Sequence, residues 1–345
     1  MIICKSPVSW HGCYKGQTAL WVDDAYAHPA KAHSALAFRI LQHLEDLGLL
    51  TAESVVLDPM AGVGTFPLAW ATKGGRAILV ELEPRFIGFC QQNKAQLERT
   101  LGHPVEIEII QGDSRHLSEL LKERGLIGVT SPPYEDSINN PRHGIDLSKI
   151  GRERPPPHSQ IGPNGKTFYG IQEGQIGNLP DHPLKVVTSP PYEDSSNAGA
   201  TDNATRAGLR ADGSVRGGPI NPEGYGQAEG QIGQEQGGTY LSAMFQVYQE
   251  IGKVADVLVT ITKNPTRKGK LRDLAGDTER LLVATGWNIL CRHRAILFEE
   301  MEQGHLFEGS QKQVKGRLSF FKRLSWQKGS PVAQWEDVLI AMRGP

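Results

Sequence analysis

An eight-residue string, TSPPYEDS, occurs twice in this 345-residue chain, at positions 130–137 and 188–195. Each copy follows a short apolar run, 126–129 and 184–187, which reads as a buried parallel strand delivering a polar turn to a sheet edge. In the first copy Pro132 and Pro133 have no N–H, and their locked φ pushes the preceding residue out of the helical region. The Ser131 hydroxyl and the Pro132 carbonyl then point outward as acceptors beside the Tyr134 ring, and Ser189, Pro190, Pro191 and Tyr192 repeat the arrangement. Acceptors next to an aromatic face suit a planar base bearing an exocyclic amine. A proline turn that merely ends a strand is the plain alternative, and the recurrence of the whole string after an apolar run argues against it.

The segment ahead of the first copy alternates apolar runs with helical periodicity. A helix opens near Ser34, its expected N-cap, carries Leu36, Ile40, Leu44 and Leu47 at helical spacing, and stops at Gly48. The run 55–57 enters Asp58-Pro59-Met60-Ala61-Gly62-Val63-Gly64-Thr65, and a helix follows. Strand, glycine turn and helix start make the opening of a nucleotide-binding βαβ unit, in which small residues let the backbone approach a ligand. The next strand, 77–80, ends at Glu81, placed where a ribose hydroxyl partner is expected about 20 residues on from the glycines. A helix over 84–101 and a strand over 105–110 lead to Asp113 and Ser114, and helix 117–124 leads to the first TSPPY. The order predicts a doubly wound, mostly parallel, seven-stranded Rossmann-like sheet of the α/β class, with Asp58, Glu81 and Asp113 along one crevice.

Residues 135–240 differ in kind, with 18 of the 39 glycines and little periodicity. They contain a second repeat: YGIQEGQIG at 169–177 is echoed by YGQAEGQIG at 225–233, each downstream of its own TSPPYEDS. We read a catalytic domain over 1–134 and 241–345 and a long irregular insert over 135–240, a lid or target-recognition segment. Regular structure resumes with a helix over 240–253, a strand over 257–262, a helix over 278–285 and two late strands, 287–290 and 338–342, suited to antiparallel pairing. Helix 117–124 supplies the crossover that a parallel strand requires, so the first TSPPY is the expected catalytic copy and the second a displaced duplicate.

A formal net charge of −1 excludes a generally basic nucleic-acid binder and leaves room for local cationic faces. Two are candidates for a phosphate backbone: Lys263, Asn264, Arg267, Lys268, Lys270 and Arg272, and the acid-free stretch 311–328 with Lys312, Lys315, Arg317, Lys322 and Arg323 among aromatic side chains. No apolar run reaches the length of a bilayer span and the N-terminus has no signal-peptide form, so a cytoplasmic location without membrane association is expected. Cys4, Cys13, Cys90 and Cys291 have no metal-ligand spacing, so neither a metal site nor a disulfide framework is indicated.

Taken in this order, the motifs resemble those of the amino-methylating DNA methyltransferases that use S-adenosyl-L-methionine, over about 28–134 and 240–343. The resemblance implies that Asp58, Pro59, Met60, Ala61, Gly62, Gly64 and Thr65 hold the methionine part, Glu81 the ribose, and Asp113 with Ser114 the adenine, while Lys31, in a segment similar to one that touches the cofactor, adds a contact. A serine heading the tetrapeptide is the form of cytosine-N4 enzymes, with double-stranded DNA as partner and a restriction endonuclease as a possible cognate. Adenine-N6 enzymes usually have Asp or Asn there. RNA guanine or protein glutamine methylation and a non-catalytic nucleic-acid-binding relic are the competing readings. A cytosine-C5 enzyme would need a cysteine, normally after a proline, and no cysteine here follows one.

Overall fold

The computed structural model describes residues 8–15, 20, 22, 32–123, 160–161, 167–168, 184–191, 228–232, 237–267, 270–305, 309–316, 329 and 331–343. The chain divides into two compact units, one of Met1–Leu120 with Pro183–Pro345 and the other of Leu121–His182.

Along the first unit run β1 (Val8–Trp10), α1 (Ser34–Asp46), β2 (Val55–Asp58), α2 (Thr65–Ala71), β3 (Arg76–Glu81), α3 (Pro84–Leu101), β4 (Ile107–Gln111) and α4 (Leu117–Glu123), whose last turn enters the second unit. In the second unit β5 (Gln160–Ile161) pairs antiparallel with β6 (Thr167–Phe168). The first unit then continues with β7 (Leu184–Thr188), α5 (Gly237–Val254), β8 (Ala255–Thr262), β9 (Thr266–Arg267), β10 (Lys270–Leu271), α6 (Leu274–Ala284), β11 (Trp287–Ile296), β12 (Phe298–His305), β13 (Gly309–Gly316) and β14 (Trp335–Arg343).

One eight-stranded sheet has the order β1-β11-β14-β8-β7-β2-β3-β4. Five of its pairings are parallel and the two made by β14 are antiparallel. The strand beyond the expected seven is β1, which pairs parallel with the far side of β11. Alternate strand residues are buried on both faces. Val56, Val187, Val259 and Ile340 share a core with Leu36, Ile40 and Leu44 of α1 and Phe66 and Leu68 of α2. Leu57, Val186, Leu258 and Leu339, of opposite parity, are fully buried as well. A sheet covered on both faces is the doubly wound architecture that near-continuous apolar strands require.

Helix α1 begins at Ser34, but its cap is His33, whose Nδ1 accepts the Ala35 N–H at 3.2 Å. Gly48, at φ +69°, ends that helix as expected. The largest difference concerns the strand between β2 and β8. The run 126–129 is the expected strand of the catalytic copy and the second copy a displaced duplicate, yet β7 of the second TSPPYEDS lies in the sheet, pairing parallel with both β2 and β8. The first copy lies outside the described residues. The crossover leaving β4 through α4 therefore returns to the sheet at Leu184. The range read as one insert is also divided, with β7 and the start of α5 belonging to the sheet-bearing unit.

Cys291 is disulfide-bonded, a pairing that the spacing of the cysteines did not indicate. Its sulfur lies with nitrogens of His43 and His293 within 4.8 Å of one another, and the two Nε2 atoms are 3.0 Å apart. With that sulfur in a disulfide and the imidazoles hydrogen-bonded together, the cluster is packed side-chain structure beneath Trp10, which stacks on His293.

Candidate active site

Strands β2, β3, β4 and β7 all end at the same edge of the sheet, and one cavity of about 740 Å³, open to solvent, lies there. It is lined by Asp58 to Val63 and Thr65 after β2, Glu81 and Leu82 after β3, Asp113 and Ser114 after β4, and Ser189 and Pro191 after β7. Its place is the crevice where open α/β sheets bind ligands.

The glycine turn is held open by its own backbone and clamped from α3. Gly62 and Gly64 take φ of +56° and +77°, values that residues with a Cβ rarely adopt. A Cβ on Gly64 would also lie 3.2 Å from Leu79 Cδ2. Asn93, fully buried on α3, donates from Nδ2 to the Val63 carbonyl at 3.0 Å, and the Cys90 thiol faces the Gly62 carbonyl at 3.3 Å.

Two carboxyls are buried at the cavity. Asp58 is 2% exposed and accepts the Met60 N–H at 3.2 Å; burial pushes its carboxyl up to about 7. Glu81 accepts the Gly62 N–H at 2.8 Å and the Glu83 N–H at 2.9 Å, and burial, only partly offset by these donors, raises it to about 7. Carboxyls this costly to ionise gain from a ligand that brings positive charge or hydrogen-bond donors.

Asp113 is differently placed. It caps the turn that follows β4, and Arg115 engages both of its oxygens, Nε at 3.1 and 3.0 Å and Nη2 at 2.5 Å. The carboxylate meets the cavity already charge-paired. Ser114 donates to the Pro59 carbonyl and ties the β2 and β4 ends together.

At the end of β7, Thr188 is fully buried, and Ser189 and Pro191 face the cavity. The Pro191 carbonyl accepts from the Tyr240 hydroxyl at 3.0 Å, which fixes the turn to α5 and leaves the Pro190 carbonyl out of that bond. Tyr192, Lys31 and the first copy, Ser131 to Tyr134, lie outside the described residues.

Sequence reasoning missed one part of the wall. Gly230, Gln231 and Ile232 line the cavity, as do Ala32, Phe66 and Phe86. The available signal was the repeat at 225–233, which marked a functional unit without saying where it sits.

Of the expected DNA contacts, Lys263 lies 3.8 Å from Glu336, Arg272 lies 2.5 Å from Asp277, and Asn264 accepts the Ala275 N–H at 2.9 Å. These three hold the chain between β8 and α6. Lys270 is exposed on β10. In the register of the β12–β13 pair Lys312 is opposite Glu302 and Lys315 opposite Glu299. Lys268, Arg317, Lys322 and Arg323 lie outside the described residues. Among the described residues, no helix is long and apolar enough to cross a membrane.

The fold and the cavity define a Rossmann-like α/β protein with an open crevice at its strand ends. No family model matches the chain, and no curated protein matches it. Among solved structures it is similar to magnesium protoporphyrin IX methyltransferase from Synechocystis with bound S-adenosylhomocysteine, at 9% identity over 90% of this chain and 83% of that one, with a TM-score of 0.40. A precorrin-6y C5,15-methyltransferase from Geobacter metallireducens gives 10% identity, 94% and 98% coverage and a TM-score of 0.37. An S-adenosylmethionine-dependent methyltransferase from Agrobacterium tumefaciens gives 9%, 91% and 63%, and 0.35. Likenesses this loose carry no argument about the activity of this chain.

Proposed function

We propose that the chain is an S-adenosylmethionine-dependent methyltransferase acting on the N4 amine of cytosine in double-stranded DNA, with the second TSPPY as its catalytic turn. The observation that carries the reading is a single cavity lined both by the glycine turn with Asp58 and Glu81 and by Ser189 and Pro191.

The residues fit that cofactor. Asp58, buried and hard to ionise by itself, would take the ammonium of the methionine part. The turn at Gly62 leaves room for the backbone to approach it, and Glu81 would take ribose hydroxyls while bound to the Gly62 amide. S-adenosylmethionine supplies an electrophilic methyl group. The exocyclic amine of cytosine is a poor nucleophile because its lone pair is delocalised into the ring. The Ser189 hydroxyl and the Pro190 carbonyl would accept hydrogen bonds from its two N–H groups and so localise that pair; as the amine takes the methyl group, S-adenosylhomocysteine would leave and one amine proton would pass to water, so the reaction is a matter of positioning. A base reaching this crevice must leave the duplex, and stacking on Tyr192 would offset about 1–3 kcal/mol of that cost. Serine at 189 favours cytosine over adenine as the base.

Mass spectrometry of nucleosides from DNA incubated with the protein and S-adenosylmethionine tests the reading. N4-methylcytosine is the expected product. N6-methyladenine as the main product would overturn the base assignment, and modification confined to RNA or protein would overturn the substrate class.

A further inference from the structure

Between β7 and α5 the segment 228–232 has no strand or α-helix of its own, yet it forms part of the cavity wall. Two attachments hold it. The Ala228 N–H and the Gln231 Nε2 both donate to Glu83 Oε1, each at 2.9 Å. Glu83 is itself 7% exposed and sits at the N-cap of α3, two residues beyond Glu81. The second attachment is steric. Gly230 has φ +91°, and a Cβ there would fall 2.3 Å from Arg115 Nη2 and 2.8 Å from Asp113 Oδ2. A side chain there would have to displace the ends of that ion pair and adopt a positive φ that residues with a Cβ rarely take. The segment thus rests on the residues following β3 and β4, at the Glu81 and Asp113 end of the cavity. There Ile232, 6% exposed, lines it together with Leu82 and Phe86. An apolar slot flanked by polar groups suits a planar heteroaromatic ring attached to a sugar.

We propose that Ala228–Ile232 is the wall against which the purine end of the cofactor is held, with Gln231 and Glu83 as its positioning residues. The inference rests on the proposed cofactor and deepens it. It also accounts for what is duplicated in the sequence. Ser189 and Pro191 of one TSPPYEDS and Gly230 to Ile232 of the repeat that follows it line the same cavity, so the repeated unit is a strand, a catalytic turn and a cofactor wall together.

Titration calorimetry of the full chain with S-adenosylhomocysteine, and with methylthioadenosine, which keeps the purine and ribose but lacks the methionine part, tests this. Gln231→Ala and Glu83→Ala are expected to weaken both ligands by the same factor, about tenfold or 1.4 kcal/mol. Glu83→Gln keeps an acceptor oxygen for both donors and should recover most of the loss, while Gly230→Val should not bind measurably. Melting of the ligand-free variants is followed in parallel, and it should stay at the wild-type value for Gln231→Ala. Binding by folded Gln231→Ala and Glu83→Ala within twofold of wild type overturns the wall. So does an affinity loss matched by lower stability of the ligand-free protein, or one seen with S-adenosylhomocysteine alone. Wild-type protein that binds neither ligand would instead overturn the cofactor assignment on which the wall depends.

Discussion

Glu81 Oε2 accepts the backbone N–H of Gly62 at 2.8 Å, joining the end of β3 to the glycine turn that leaves β2. The carboxyl and the turn are therefore one unit, and disturbing either should disturb ligand binding. Gly62→Val places a branched residue in the cavity wall at φ +56°, a left-handed conformation that costs about 1–2 kcal/mol for residues with a Cβ. Calorimetry should show binding of S-adenosylhomocysteine abolished, and undiminished affinity would remove the basis for the site.

Asp58 links the site to pH. Its folded-state value, about 7, lies above its ordinary 3.8, so the folded protein holds a proton that the unfolded chain has released between those values. The stability contributed by the neutral carboxyl is present at pH below about 4 and is lost as pH rises through 7. Asp58→Asn removes this dependence. The ligand-free variant should melt above wild type at pH 8, the difference shrinking towards pH 4, while binding of S-adenosylmethionine is lost. Equal melting of the two proteins at pH 8 would show that Asp58 ionises there without cost.

The two TSPPY copies can be separated by parallel substitution. Ser189→Ala and Tyr192→Ala should lower methyl transfer at saturating cofactor, by roughly 10²-fold for Ser189, the scale of one preorganised transition-state hydrogen bond. Ser131→Ala and Tyr134→Ala should retain near wild-type turnover. The reverse pattern would return catalysis to the first copy.

Lys270 and Arg272 should behave differently on DNA. Lys270→Ala, at an exposed position on β10, should reduce the slope of log affinity against log salt by about 1 and weaken all sequences alike. Arg272→Ala breaks the contact with Asp277 and should lower the melting temperature while leaving the salt slope near wild type. Anisotropy titrations across a salt series read the slopes, and an unchanged slope for Lys270→Ala would assign that residue to solvent.

The sequence by itself determined the elements whose signals are local. Apolar runs ending at Asp58, Glu81 and just before Asp113 gave three parallel strands and the carboxyls at their tips, and Gly62 and Gly64 marked the turn, because strand periodicity and positive φ leave their mark in single residues. Only the tertiary structure decided which duplicated strand enters the sheet. Two identical strings carry identical local preferences, so the choice falls to long-range partners: parallel pairing of β7 with β2 and β8, and the Tyr240 bond to Pro191. The absence of a helix immediately before the second copy argued for the first, yet the crossover from β4 is spread over a longer stretch of chain, a length that local periodicity does not register. For the same reason Gln231 and Glu83, 148 residues apart, and Arg272, whose charge is met by Asp277, were legible only once the fold had brought their partners into contact.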